Sequence, residues 1–147
     1  MAKLWKKGRG KLGFMDPLLG AWAAEADTPM GRVGCTRVFE RFGASYVQLT
    51  ASWKFGDRTY REFAFIGIGD DGKAAFWSFT NDGKRSHGVV ADVTDLHPEA
   101  IGFEAQMPAG LARMAYWPDG AGGFHWVVES RTKKGWNRFT EHHYRPA

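Results

Sequence analysis

The sequence predicts an all-β protein, an antiparallel up-and-down barrel of about ten strands, on three observations. Aromatic residues make up 15% of the 147 residues and occur together with 19 glycines, and this mixture of bulky apolar side chains and tight turns favours strands. Short segments of alternating apolar and polar residues follow one another after residue 16, without a helical period. The connections are short, so successive strands pair. Closure into a barrel then removes both free edges, with a sandwich as the alternative.

The strands are placed in order from Trp22 onward. The clearest is YVQLTASWKF at 46–55, where apolar residues occupy every second position, as on a strand with one buried face. The Asp-Gly pairs in DDGK at 70–73 and TNDGK at 80–84 predict tight hairpin turns. The same alternation predicts strands in RTYREFAFIGIG, AAFWSF, RSHGVVADV, IGFEAQM, ARMAYW, GFHWVVESR and WNRFTEHHYR.

The net charge of +4 is concentrated at the N-terminus. Five basic residues precede the first acidic residue, Asp16, and removing them from the 20 basic residues leaves 15 against 16 acidic ones. We therefore predict a basic arm over residues 1–15 and a single, nearly neutral barrel domain over 16–147. A solvated arm is the simpler interpretation, and no nucleic-acid partner is expected. The basic residues of the arm are Lys3, Lys6, Lys7, Arg9 and Lys11.

Cysteine content and hydropathy indicate the compartment. Cys35 is the sole cysteine, so no disulfide forms within the chain, and we interpret it as a small buried apolar residue. No apolar run has the length of a membrane span, and the N-terminus lacks the apolar core of a secretory signal. We expect a cytoplasmic protein without a membrane span.

Three segments carry a resemblance to a known group of proteins. They are LLGAW at 18–22, FIGIGDDGKAAFWSFTNDGKRSHG at 65–88 and NRFTEHHYRP at 137–146. Over about residues 16–146 the chain resembles the calycin superfamily, in particular a family of small, mostly bacterial lipocalin-like proteins of unassigned function. Lipocalins and the intracellular fatty-acid-binding proteins are more distant members. The resemblance implies a barrel that binds a small, largely apolar ligand.

The resemblance also implies a plug at the closed end of the barrel. Gly20 would allow close backbone approach, Trp22 would be the plug, and Arg145 on the last strand would stack on its indole, with Arg138 as the less favoured partner. A guanidinium over an indole contributes about 0.5–2 kcal/mol.

Inward-facing residues would form the binding site. If the aromatic positions of each strand mark its inward face, Phe63 and Phe124 also point inside, and an apolar cavity with a few polar groups results. The alternative for each residue is simple core packing. The candidate ligand-binding residues on these strands are Trp53, Phe65, Trp77, Phe79, Phe103, Met114, Tyr116 and Trp126.

The last predicted strand offers polar recognition. Alternation in RFTEHHYR places His142 and Tyr144 on one face and His143 on the other. The fatty-acid-binding proteins, to which this strand is similar, hold a carboxylate with polar side chains two residues apart. His142 and Tyr144 have that spacing, although the usual arginine of the pair is absent. We therefore add His142 and Tyr144 to the candidate ligand-binding residues.

The sequence favours a binding protein over an enzyme. It contains no nucleophile elbow, phosphate loop, dinucleotide fingerprint or zinc spacing, so we expect no catalytic residue, no metal and no cofactor. One alternative is a barrel enzyme that carries haem or another cofactor, because some calycin-like barrels ligate haem through a histidine. A second is an interaction module whose barrel is filled by its own side chains. The histidines available are His87, His97, His125, His142 and His143.

Overall fold

The described chain, residues 3–29 and 31–147 of a computed structural model, forms one closed barrel of ten antiparallel strands. Each strand pairs with the next in sequence, and the last returns to the first, so the predicted fold class is confirmed. The strands are β1 Gly20–Thr28, β2 Gly31–Phe42, β3 Tyr46–Phe55, β4 Arg58–Ile68, β5 Ala74–Thr80, β6 Arg85–Ala91, β7 Ile101–Met107, β8 Gly110–Pro118, β9 Phe124–Thr132 and β10 Gly135–Pro146.

The two ends of the barrel differ in how they are covered. The turns of the hairpins β1–β2, β3–β4, β5–β6, β7–β8 and β9–β10 lie together at one end, which we call the open end. Two of these turns contain Gly56 and Gly83, whose φ angles of 55° and 89° suit glycine. The opposite, closed end is covered by a 3₁₀ helix, Gly13–Leu18, that precedes β1.

Apolar side chains fill the closed end. Met15 and Leu18 of the 3₁₀ helix are 1% and 0% exposed and join the barrel core. Trp22 packs against the same core, its Nε1 donating a hydrogen bond of 2.8 Å to the Leu18 carbonyl and its ring meeting Phe124 edge-on at 4.8 Å. The closed end is therefore sealed by residues on both sides of the predicted boundary between arm and barrel.

The predicted contact between Trp22 and Arg145 is wrong. Arg145 is exposed, because Tyr144 before it points into the barrel and side chains alternate along a strand. Arg138 lies instead over Trp117, 5.6 Å from the ring centre. Gly20 is also explained differently, since an added Cβ would meet only the Trp22 ring at an ordinary 3.9 Å, whereas its φ of 131° disfavours other residues.

The seam between β1 and β10 is the shortest pairing in the barrel. Only Trp22 with Pro146 and Ala23 with Arg145 are in register, whereas β1 pairs with β2 over nine positions. One further bond joins the amide of Ala147 to the carbonyl of Ala21 at 3.0 Å. Toward the open end, no further residues of β1 and β10 are in register.

The long connection between β6 and β7, residues 92–100, folds over the outside of the barrel. Val93 is fully buried there against Ala115 and Val127 of β8 and β9. The Glu99 carboxylate accepts hydrogen bonds from the amides of Leu4 and Trp5 and so attaches the arm to this connection. Among the described residues, no helix has the length and apolarity needed to cross a membrane.

Candidate functional site

A cavity of about 340 Å³ lies in the open end of the barrel. Its walls are mainly apolar, with one carboxylate and one hydroxyl well inside and basic side chains at the mouth. A void of about 10 Å³, close to the volume that one water occupies, lies deeper and shares four wall residues with it. The cavity is lined by Trp53, Tyr60, Glu62, Phe76, Ser78, Phe103, Ala105, Ala112, Met114, Trp126 and Val128, with Thr80, Lys84, Arg85, Ser86, Met107, Arg113 and Phe139 completing the lining.

The predicted site residues separate into three groups. Trp53, Phe103, Met114 and Trp126 line the cavity, and their contact with a ligand stays a prediction. Further inside, three are buried in the core beneath it, and three others lie outside the barrel. The deep group is Tyr116, His142 and Tyr144, and the outer group is Phe65, Trp77 and Phe79.

The prediction that Phe65, Trp77 and Phe79 face the interior is wrong, and so is that for Phe63. In β4 and β5 the inward positions hold residues such as Ala64 and Ser78, both 2% exposed, so the aromatic residues occupy the outer parity. Phe63 and Phe79 are 41% and 51% exposed. These outer rings pack on one another, with Phe63 and Phe65 centred 5.1 Å apart, which is why aromatic content did not mark the buried face.

A buried arginine that sequence reasoning missed lies beneath the cavity. Arg37 on β2 is 0% exposed, and its Nη2 donates a 2.8 Å hydrogen bond to the Tyr116 hydroxyl. Its guanidinium carbon lies 4.3 Å from the centre of the Trp126 ring, a cation–π contact. The sequence does indicate that Arg37 is buried, because it lies an even number of residues from Val33 and Phe39 on the same strand. Its side chain therefore points to the same face as these two apolar, buried residues.

The Arg37 charge is incompletely compensated. Its closest ion-pair partner is the Glu62 carboxylate, with Nη2 and Oε1 4.0 Å apart. Within the described chain, its Nε and Nη1 are buried and have no hydrogen-bond acceptor. Because arginine stays protonated in proteins, the interior holds a permanent positive charge with two unmet donors.

Glu62 joins the buried charge to the cavity. Its side chain is 18% exposed, and it lines both the cavity and the void beneath it. Ser78 Oγ donates to Glu62 Oε2 at 2.5 Å. Sequence reasoning also missed Glu62, although it lies on the same face of β4 as Tyr60, Ala64 and Ile66.

The other titratable groups near Arg37 are neutral at pH 7. Burial, with a smaller contribution from the Arg37 charge, lowers the pKa of His142 to about 4. Burial raises the pKa of Tyr144 to about 12 and that of Cys35 to about 11, against the opposing effect of Arg37. The barrel interior therefore carries one positive charge, on Arg37, and one negative charge, on Glu62.

His142 is the one histidine of the five that points into the barrel, and all five lie in the described ranges 3–29 and 31–147. Its Nδ1 is 3.4 Å from the Tyr144 hydroxyl. On the outer face, His143 stacks on His125 at 4.6 Å and its Nε2 lies 2.6 Å from the Asp119 carboxylate. Against the effect of burial, hydrogen bonds from His143 and two backbone amides lower the pKa of Asp119 to about 2.

A second, larger cavity of about 500 Å³ lies outside the barrel, under the basic arm. Lys3, Lys6 and Lys7 contribute to its walls, together with Pro98 and Glu99 of the β6–β7 connection. It is a space between chain segments and contains no buried charged side chain. The mainly apolar cavity in the open end of the barrel has the features of a small-molecule site.

Comparisons with known proteins support the fold alone. No protein-family model matches the chain, and no curated protein matches it significantly. Among solved structures, the chain is similar to the crystal structure of Rv2717c from M. tuberculosis, with a TM-score of 0.61 and 14% sequence identity over 95% of this chain and 98% of that chain. At this identity the likeness indicates a common barrel architecture.

Proposed function

We propose that this chain is a lipocalin-like, cytoplasmic binding protein that holds a small, largely apolar molecule in the open end of its barrel. The observation that carries the proposal is the cavity of about 340 Å³, with walls from Trp53, Phe76, Phe103, Met114 and Trp126. Apolar walls with few polar groups favour such a ligand through the hydrophobic effect. A barrel filled throughout by its own side chains, as an interaction module would have, does not agree with this space.

Filling the cavity tests the proposal. Ala112 on β8 faces Ala105 across the strand pair, and both line the cavity, so Ala112→Phe places a ring inside it. The probe is N-phenyl-1-naphthylamine, a neutral apolar fluorophore whose emission rises when it leaves water. We expect the wild-type protein to bind the probe and Ala112→Phe to bind it about tenfold more weakly or worse.

The matched control is the same substitution outside the barrel. Ala23 is exposed on β1, so Ala23→Phe adds an equal side chain without entering the cavity. Its affinity for the probe should equal that of the wild type. Equal affinity in all three folded proteins would place the probe elsewhere and would contradict the proposal.

A haem-carrying barrel is the second candidate, favoured by His142. This histidine is buried and neutral at pH 7, so a ring nitrogen is free of the proton that would prevent metal binding. With Nδ1 beside the Tyr144 hydroxyl, Nε2 would be the nitrogen that binds iron. His142 is not part of the cavity wall, so a haem in the cavity would reach it only after the intervening side chains move.

Titration with haemin distinguishes the two candidates. A haem protein would develop a Soret band that His142→Ala abolishes and that His143→Ala, a change of the neighbouring outward histidine, preserves. A band unaffected by either substitution, or no band, would remove this candidate and leave the apolar ligand.

A further inference from the structure

The deepest wall of the cavity presents an unused hydrogen-bond acceptor. Glu62 Oε2 accepts a hydrogen bond from Ser78, but no donor of the described chain lies within hydrogen-bonding distance of Oε1, whose nearest cation is Arg37 Nη2 at 4.0 Å. The Glu62 side chain is 18% exposed and lines the cavity, so this oxygen is open to a group that enters from the cavity. This corner therefore favours an incoming group that donates a hydrogen bond.

Unmet donors lie close to the same corner, and of the residues that carry them Trp126 lines the cavity whereas Arg37 lies behind the wall. Arg37 Nε and Nη1 and Trp126 Nε1 are buried, and among residues 3–29 and 31–147 no acceptor meets them with good hydrogen-bond geometry. The hydroxyls of Tyr144 and Tyr116 interact with the guanidinium and the indole, respectively, less directly. Trp126 lines the cavity, and its ring stacks against the guanidinium at 4.3 Å. Glu62 and Trp126 both line the cavity, and both are next to the Arg37 guanidinium. An incoming group that also accepts a hydrogen bond would provide an acceptor for these unpartnered N–H donors.

The charge of the corner selects among such groups. Arg37 and Glu62 together are formally neutral, so a second carboxylate would be repelled by Glu62 and would offer no donor. An ammonium would be repelled by Arg37 and would offer no acceptor. A hydroxyl brings one donor and two lone pairs without charge.

We infer that the molecule bound in this cavity carries a neutral head group that both donates and accepts hydrogen bonds, an alcohol in the simplest case, and that the Glu62 carboxylate accepts the hydrogen bond that this group donates. This inference rests on the proposed function. The apolar body of the ligand then lies along Phe103 and Met114 toward the open end.

Four probes of equal length test the head group. They are decan-1-ol, its acceptor-only analogue 1-methoxynonane, decanoate and decylamine, each titrated by intrinsic tryptophan fluorescence. We expect decan-1-ol to bind about tenfold more tightly than the ether, because the ether leaves Glu62 without a donor. Both charged probes should also bind more weakly than the alcohol.

A double variant isolates the corner without leaving one charge buried alone. Arg37→Met combined with Glu62→Met replaces the ion pair with apolar side chains of similar size, an exchange that buried pairs often tolerate. We expect decan-1-ol and 1-methoxynonane to bind this variant with equal affinity. An alcohol preference that persists in the folded variant would overturn the assignment to Glu62.

The outcomes separate this inference from the function on which it rests. Equal binding of all four probes to the wild type would leave the apolar site intact and overturn the head-group inference. Tightest binding of decanoate would overturn it in favour of an acid that reaches Arg37. No binding of any probe to the folded protein would contradict both.

Discussion

Two buried arginines differ in how fully their donors are used. Arg113 borders the cavity but directs its guanidinium to the outer face of the barrel, whereas the Arg37 guanidinium lies inside. Arg113 Nε donates to Glu129 at 2.8 Å, and its two terminal nitrogens reach the two oxygens of Asp95 at 3.0 and 2.9 Å. It also stacks on Trp136 at 4.2 Å. Arg37 stacks equally closely on an indole, but it makes one well-formed hydrogen bond, to the Tyr116 hydroxyl, and its nearest carboxylate oxygen lies 4.0 Å away.

The difference separates structural from functional use of the same side chain. Arg113 fixes the β6–β7 connection to the barrel wall, because Asp95 belongs to that connection and Glu129 to β9. All three nitrogens of this guanidinium donate to carboxylates, so its position is fixed by structural partners. Arg37 keeps unused donors behind Glu62 and Trp126, which line the cavity, and this is an arrangement that a structural role does not require.

The largest effect should come from removing the carboxylate beside Arg37. Glu62→Leu leaves the Arg37 charge buried with no counter-ion, and we expect a loss of about 3–5 kcal/mol in the free energy of unfolding. Urea denaturation followed by tryptophan fluorescence measures it.

The matched control is Glu129→Leu, which removes the carboxylate that accepts hydrogen bonds from Arg113 and Arg138. There Arg113 keeps Asp95, and Arg138 keeps Glu141 at 2.6 Å, so neither arginine loses its last carboxylate. We expect a smaller loss than for Glu62→Leu. Equal losses would show that Arg37 is no less compensated than Arg113 and would remove the contrast.

The next largest effect concerns pH. The pKa of His142 is about 4 in the folded protein, below an unfolded value near 6.5, so the unfolded state binds a proton first as the pH falls. Stability from this group is complete above about pH 6.5 and declines as the pH falls through the folded pKa, by about 3 kcal/mol at most.

Urea midpoints between pH 7.5 and pH 4 measure this loss by comparison with His142→Gln, which lacks the titrating group and should lose less stability over the same range. Arg37→Met should raise the pKa of His142, because it removes the neighbouring positive charge but not the burial. An unchanged pKa, followed by NMR, would show that the Arg37 charge does not reach this histidine.

The smallest effect on the free energy of unfolding should come from changing Asp95, the exposed ion-pair partner of Arg113. Asp95→Asn removes the charge that pairs with both terminal nitrogens of Arg113, and we expect a loss of about 1 kcal/mol, since the Asp95 side chain is more than half exposed. Asp27→Asn, which breaks a fully solvated pair with Arg32, should change the urea midpoint little. Indistinguishable results would mean that the Asp95 pair does not hold the connection.

The strands could be predicted because alternation and turn residues are local. The segment 46–55 became β3, Tyr46–Phe55, and the two Asp-Gly turns separate β4, β5 and β6 as expected. Short connections also favoured a meander, and closure follows from it.

The inward face of each strand was harder to predict. In β4 and β5 both faces carry apolar residues, so the pattern does not show which face is buried, and an error of one residue reverses the assignment of every side chain. The large Phe63 and Phe79 lie outside, while Ala64 and Ser78 lie inside. The site depended on long-range pairing as well. Arg37 and Glu62 meet because β2 and β4 both flank β3 in a closed sheet, and neither strand alone shows the other's charge.

The two-pair seam of β1 and β10 bears on the order in which the protein folds during synthesis. Strands β1 to β9 can pair in turn as they leave the ribosome, but the circle closes through Arg145, Pro146 and Ala147. Until those residues emerge, the nascent chain is an open sheet with two exposed strand edges, a form prone to pair with other chains. The pairing of β1 with β10, which joins residues far apart in the sequence, is thus also the last to form. Once it forms, no strand edge is left free to pair with another chain, so aggregation no longer competes with folding.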